Sequence, residues 1–137
     1  MSANDPGQTP LPTDSGRADW SVNREIPRIV LAIGAHPDDI EFGCGGTLSK
    51  GAAAGCVVHH LVLTDGSKGT WNVDAHLPTL VASRQREQRE AARRLAGDRA
   101  GEVVFLGQVD GELDSTLALR GEVARVIRQL RPQVVLG

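Results

Sequence analysis

The stretch that decides the fold is Ile29-Val30-Leu31-Ala32-Ile33-Gly34-Ala35-His36-Pro37-Asp38-Asp39-Ile40-Glu41. Its first half belongs to a nearly continuous apolar run from Ile26 to Ile33, rich in β-branched residues. A run with no polar alternation predicts a strand covered on both faces of a parallel sheet. Its second half then sets one imidazole and two adjacent carboxylates in a turn, ahead of Gly43, Gly45 and Gly46. Neighbouring carboxylates resist burial unless a cation offsets their charge, so a divalent metal is their natural companion.

Outward from this stretch, β and α patterns alternate. Residues 43–54 have small side chains around Leu48 and predict a helix, weakened by its glycines. Val57 to Leu63 predicts a second strand, running into the loop Thr64-Asp65-Gly66-Ser67-Lys68-Gly69. An irregular connection follows to about Pro78. A helix is expected from about Thr79 to Leu95, with Gln88, Ala91, Ala92 and Leu95 on its packing side and Gly97 as its stop. Glu102 to Leu106 predicts a third strand. Val123, Val126, Ile127 and Leu130 mark another amphipathic helix ended by Pro132, and residues 133–136 a fourth strand. This order predicts an α/β fold: a Rossmann-like open parallel sheet with flanking helices and right-handed crossovers. Ligands in such sheets bind beyond the carboxyl ends of the strands, where the HPDD turn, the TDGSKG loop and the GQVDG loop all fall.

Composition sets the outer bounds. The chain has 137 residues, 40% of them hydrophobic, enough for one domain with a real core. Residues 1–25 carry Pro6, Pro10 and Pro12 with few apolar residues and are expected to form a disordered tail, leaving 26–137 as the folded part. A formal charge of -2 and a pI near 6.1 favour a small-molecule partner over nucleic acid or an anionic membrane. Cys44 and Cys56 have neither CxxC spacing nor a disulfide framework around them. No stretch reaches the roughly 20 apolar residues of a membrane span, and no secretory signal is visible, so a cytoplasmic address is expected.

The chemistry concentrates in the turn. Pro37 stiffens it, and in a helical start at Pro37 the side chains of His36 and Asp39 lie on one side. Histidine nitrogen and carboxylate oxygen suit zinc, with iron(II) also compatible, and a catalytic zinc keeps three protein ligands and a water. Asp38, adjacent but directed elsewhere, is placed to take that water's proton as general base. The plainer alternative is that Asp38 and Asp39 cap the following segment while His36 makes an ordinary buried hydrogen bond.

AIGAHPDDIEFGCGGTL resembles the opening motif of the LmbE/PIG-L family of zinc-dependent de-N-acetylases. VLTDGSKGTW is similar to the family's second-strand loop, Arg84-Gln85-Arg86-Glu87 to its R-x-x-E helix start, and LGQVDG (residues 106–111) to its loop after the third strand. The resemblance covers residues 28–137. It implies His36 and Asp39 as metal ligands, Asp38 as the catalytic base, and Arg84 and Asp110 as contacts to sugar hydroxyls. It further implies removal of acetyl from an N-acetylglucosaminyl-type conjugate by a metal-activated water. Arg84 could instead pair with Glu87 or Gln88 on a helix face, and Asp110-Gly111 is a good turn pair. Trp71 could stack on a sugar ring or anchor its own loop.

Family members take a third ligand from a histidine beyond the fourth strand, and the chain is expected to be the N-terminal part of such a domain, truncated after that strand. His59 and His60 lie inside a strand and His76 in a loop, which makes them poor substitutes. Without a third ligand, the alternative is a non-catalytic sugar-binding or partner-binding domain of the same fold. A receiver-like phospho-acceptor domain would use paired acids after its first strand but gives His36-Pro37 no role.

Overall fold

The computed structural model describes residues 25–137, so the tail expected over 1–25 lies almost wholly outside the described residues. Four parallel strands, β1 (Ile29–Gly34), β2 (Val57–Thr64), β3 (Ala100–Gln108) and β4 (Val134–Leu136), form one open sheet in the order β3-β2-β1-β4. Between them lie helices α1 (Asp39–Ala53), α2 (Leu77–Ala96) and α3 (Leu117–Leu130), with one turn of 3-10 helix after α2. The expected architecture holds.

β1 is central because both of its faces are apolar. Val30 and Ala32 pack with Ile40, Leu48 and Ala52 of α1, and with Val58, Val62 and Ala96, on one side. Leu31 packs with Leu61 and with Val126 and Leu130 of α3 on the other. The chain winds outward from β1 through β2 to β3, then returns across the sheet to place β4 on the other side of β1. That reversal puts the loop after β1 at the switch point, where a crevice opens.

Four elements differ from expectation, and the first is β1, which starts at Ile29 rather than Ile26 because Pro27 has no N–H to give a ladder. α1 starts at Asp39 rather than Gly43, because Asp39 and Glu41 fall in its first turn, where the backbone N–H groups favour negative charge. α2 starts at Leu77, with Pro78 among its first positions, where no intrahelical N–H is needed. β3 extends in both directions, through Gly101 and Gly107. At Gly101 a Cβ would sit 2.5 Å from Nδ1 of His59, so only glycine lets β3 pass that imidazole. The same nitrogen accepts the N–H of Glu102 at 2.8 Å, which gives His59 a structural task.

Candidate functional site

At the carboxyl end of β1 the chain turns through His36 and the buried Pro37 into Asp38, whose φ of 92° is left-handed. Such a φ is uncommon outside glycine, so neighbouring groups must hold it. They do so from the end of β2, from the loop after it and from α2. Thr64 donates from both N and Oγ1 to the Ala35 carbonyl, at 2.8 and 2.7 Å. Gly66, itself at φ 65°, lies so close to Pro37 that a Cβ would meet its Cδ at 3.0 Å. Arg84, two turns into α2, donates Nη2 to the Pro37 carbonyl at 2.7 Å and to Asp38 Oδ2 at 2.9 Å.

The two aspartates do not behave as helix caps. Asp38 occupies the N-cap of α1 but its side chain caps nothing, which removes the capping reading for it. It stays exposed and aimed at Arg84. Asp39 turns back instead: its Oδ2 accepts the His36 N–H at 2.8 Å and lies 3.3 Å from His36 Nδ1. Imidazole and carboxylate are each about half exposed, at 45% and 43%.

The other nitrogen of His36, Nε2, meets Oδ1 of the buried Asp110 at 3.0 Å. Asp110 Oδ2 accepts the Lys68 N–H at 3.1 Å. Asp65 Oδ1 then accepts the N–H groups of Ser67 and Asp110, at 2.9 and 3.1 Å, tying the TDGSKG loop to the GQVDG loop. Burial raises the Asp65 carboxyl, but these hydrogen bonds outweigh it and hold it below the usual carboxylate range. Five sequence-predicted residues, His36, Asp38, Asp39, Arg84 and Asp110, are thus brought together.

The donor set suits one side of a cation site. His36 Nδ1 and Asp39 Oδ2 converge, while a buried carboxylate holds the opposite imidazole nitrogen, as metal-ligating histidines ordinarily require. Among the described residues, no group of three or more His, Cys, Asp or Glu side chains is placed to hold a metal ion. His76 is turned to Thr79 Oγ1 at the start of α2, and His59 and His60 are occupied within the sheet. Trp71 is fully exposed, which removes its reading as a packing anchor. Arg84 pairs with Asp38, not with Glu87 or Gln88.

Sequence reasoning passed over the support beneath the turn. Gln88, buried among the packing residues of α2, accepts the Asp38 N–H through Oε1 at 2.8 Å. Its Nε2 faces Glu41 Oε1 at 2.7 Å and His60 Nδ1 at 3.1 Å. Burial pushes Glu41 above the ordinary carboxylate range and His60 down to about 4, so His60 is neutral. The available signal was a glutamine on the apolar side of an amphipathic helix.

A family model described as PIG-L, GlcNAc-PI de-N-acetylase, matches residues 31–137. The diacetylchitobiose deacetylase of Thermococcus kodakarensis is 35% identical over 122 residues, covering 88% of this chain and 45% of that protein. A 1D-myo-inositol 2-acetamido-2-deoxy-alpha-D-glucopyranoside deacetylase of Rhodococcus jostii is 31% identical, covering 80% of this chain and 45% of its own length. Among solved structures, the N,N'-diacetylchitobiose deacetylase of Pyrococcus horikoshii in complex with an inhibitor superposes with a TM-score of 0.75 at 32% identity, covering 80% of this chain and 40% of that one. The chain spans less than half the length of these relatives.

Proposed function

The chain belongs to the PIG-L (LmbE-like) deacetylase family, and from that membership we propose that the whole protein is a metal-dependent hydrolase removing acetyl from an N-acetylglucosaminyl-type sugar conjugate. The names of the relatives support the reaction and the substrate class. One observation carries the chemistry: Asp38 is presented in a strained, exposed turn, spent on no cap, beside a converging His36–Asp39 pair.

His36 and Asp39 would hold a divalent cation, zinc or iron(II), with a third donor from outside the described residues. Such a cation, when bound, supplies Lewis acidity to an amide carbonyl and lowers the pKa of a water. Asp38 takes the water's proton. Its Oδ2 is held by Arg84, while Oδ1 has no hydrogen bond among the described residues and is the oxygen free to accept. Asp110 fixes the imidazole of His36 through Nε2 and so directs Nδ1 to the same side as Asp39. Arg84 and Asp110 also reach sugar hydroxyls: Arg84 through the guanidinium N–H groups it does not spend on Pro37 and Asp38, and Asp110 through the lone pairs left on its oxygens.

The test uses the protein from the full reading frame. It should release acetate from an N-acetylglucosaminyl conjugate in a metal-dependent way. Asp38→Asn should keep metal stoichiometry and lose turnover by about 10²- to 10⁴-fold, the usual worth of a general base. Full activity in that variant removes the base assignment. With only two converging donors here, a second reading applies to the 137-residue chain by itself: a sugar-binding domain without turnover. Calorimetric glycan binding with no bound metal would favour it.

A further inference from the structure

We propose that Gln88 is a positioning residue for Asp38, its amide locked by Glu41 and His60 so that one buried oxygen holds the Asp38 peptide in the left-handed conformation. The proposal rests on the reading of Asp38 as the base.

Asp38 is one of two non-glycine residues with positive φ among the described residues, and the one at the site. Its carboxylate makes no local cap and is held only from α2, by Arg84. Its N–H is held by Gln88 Oε1 at 2.8 Å, from a side chain that is 2% exposed. A primary amide could present either end to that N–H, and the surroundings decide which. The other end faces a carboxylate oxygen, Glu41 Oε1, at 2.7 Å and an imidazole nitrogen, His60 Nδ1, at 3.1 Å. Both accept, so both require the NH₂ end, and Oε1 is left for Asp38. His60 is wholly buried and neutral, and because its Nδ1 faces an NH₂ that can only donate, the ring's proton belongs on Nε2. The Asp38 N–H can only donate and Glu41 accepts, and the Gln88 amide between them is itself out of water, so it has one stable orientation.

The clamp has two arms on one helix face. Gln88 holds the Asp38 amide, and Arg84, one turn earlier, holds the preceding carbonyl and one carboxylate oxygen. Releasing the amide frees the peptide to leave the left-handed region and swings the carboxylate away from the His36–Asp39 side. Ligand binding does not depend on that swing, whereas proton transfer does. The two effects are therefore separable.

Two variants separate them. Gln88→Met keeps length and removes every hydrogen bond. The double variant Gln88→Glu with Glu41→Gln reverses the donor and acceptor between these two positions while keeping an oxygen for the Asp38 N–H, and His60 meets the new carboxylate by carrying its proton on Nδ1, since its Nε2 has no partner to lose. In the 137-residue chain, amide exchange at Asp38 should speed at least tenfold in Gln88→Met, with Leu61 and Val62 still protected, and return toward wild type in the double variant. In the full-reading-frame protein, Gln88→Met should lower kcat at least tenfold at unchanged KM and metal stoichiometry, with recovery in the double variant. An unchanged Asp38 exchange rate in Gln88→Met overturns the proposal, as does a kcat loss matched by lost protection throughout the sheet with no recovery in the double variant. If wild type releases no acetate, the reading of the function fails, and the exchange measurement still decides the clamp.

Discussion

The two faces of the sheet carry the same number of strands but different chemistry. On the side of α1 and α2, small residues such as Ala32, Ala52, Cys56 and Ala96 let the helices approach closely, and a Cβ at Gly45 would already touch Leu95 Cδ1 at 3.5 Å. The carboxyl end of that face holds Glu41, Gln88 and His60, directly under the HPDD turn. The α3 side is built from Leu31, Leu61, Val126 and Leu130, with Ile33, Leu63, Val104 and Leu106 behind them. Its carboxyl end is a cleft of about 580 Å³ lined by Leu63, Leu119, Val123 and Ile127. Apolar packing is non-directional and tolerates such a gap. A buried hydrogen-bond network fixes angles, and it sits on the face from which the turn leaves. The comparison teaches that both faces of β1 supply apolar stability, whereas the aim of the turn comes from the α1 and α2 side alone.

The sharpest way to break it is to damage the α3 side. Leu61 is fully buried there, and Leu61→Ala should cost about 2 to 5 kcal/mol, read as a lower urea midpoint. Turnover per folded molecule of the full protein should be unchanged. A loss of kcat at temperatures where the variant is fully folded would show that both faces set the aim of Asp38.

Acid should weaken the opposite face. Burial pushes the His60 imidazole down to about 4, with His59 adding a smaller push in the same direction. An unfolded chain protonates this group near pH 6.5 while the folded one keeps it neutral, so its contribution is whole above pH 6.5 and is lost as pH falls toward 4. The span is worth ~3 kcal/mol. Glu41, whose carboxyl is raised by the same burial and lies 3.6 Å from His60 Nδ1, takes up a proton on folding in acid and offsets part of it. Urea unfolding at pH 7.5 and 4.5 should therefore show a larger acid loss in wild type than in His60→Asn. Equal losses would remove His60 as the source.

Much of this was readable in advance, and the unread part has a common cause. The run from Ile29 to Ile33 announces a strand buried on both faces, and HPDD at its carboxyl end marks a candidate site, because both signals are local. The start of α1 was misplaced by four residues since Asp39 and Glu41 serve equally well as loop ligands and as acids of a first helical turn. The length of β3 depends on His59, a partner 42 positions from Gly101 that composition cannot supply. Gln88 reads as a packing residue of α2, yet its task is set by three groups on two other segments, Asp38 and Glu41 at the start of α1 and His60 in β2. Contacts that need a register or a crossover to exist were invisible; periodicities were not.

The smallest effect sharpens the comparison most, because it touches the α3 side where that side comes nearest the crevice. Thr116 is the N-cap of α3, its Oγ1 accepting the Leu119 N–H at 3.1 Å, and the first turn holds no acidic residue to share the work. Leu117 beside it is exposed, so packing does not fix the helix start either. Thr116→Ala should lower unfolding free energy by about 1 kcal/mol, the usual worth of a cap, and speed exchange of the Leu119 amide. The cleft would widen at its mouth while α1 and α2 keep their hold on the turn. Exchange at the Asp38 amide should therefore stay at the wild-type rate. A change there would mean that strain travels across β1 from one face to the other, and that the network under Asp38 depends on how α3 is seated.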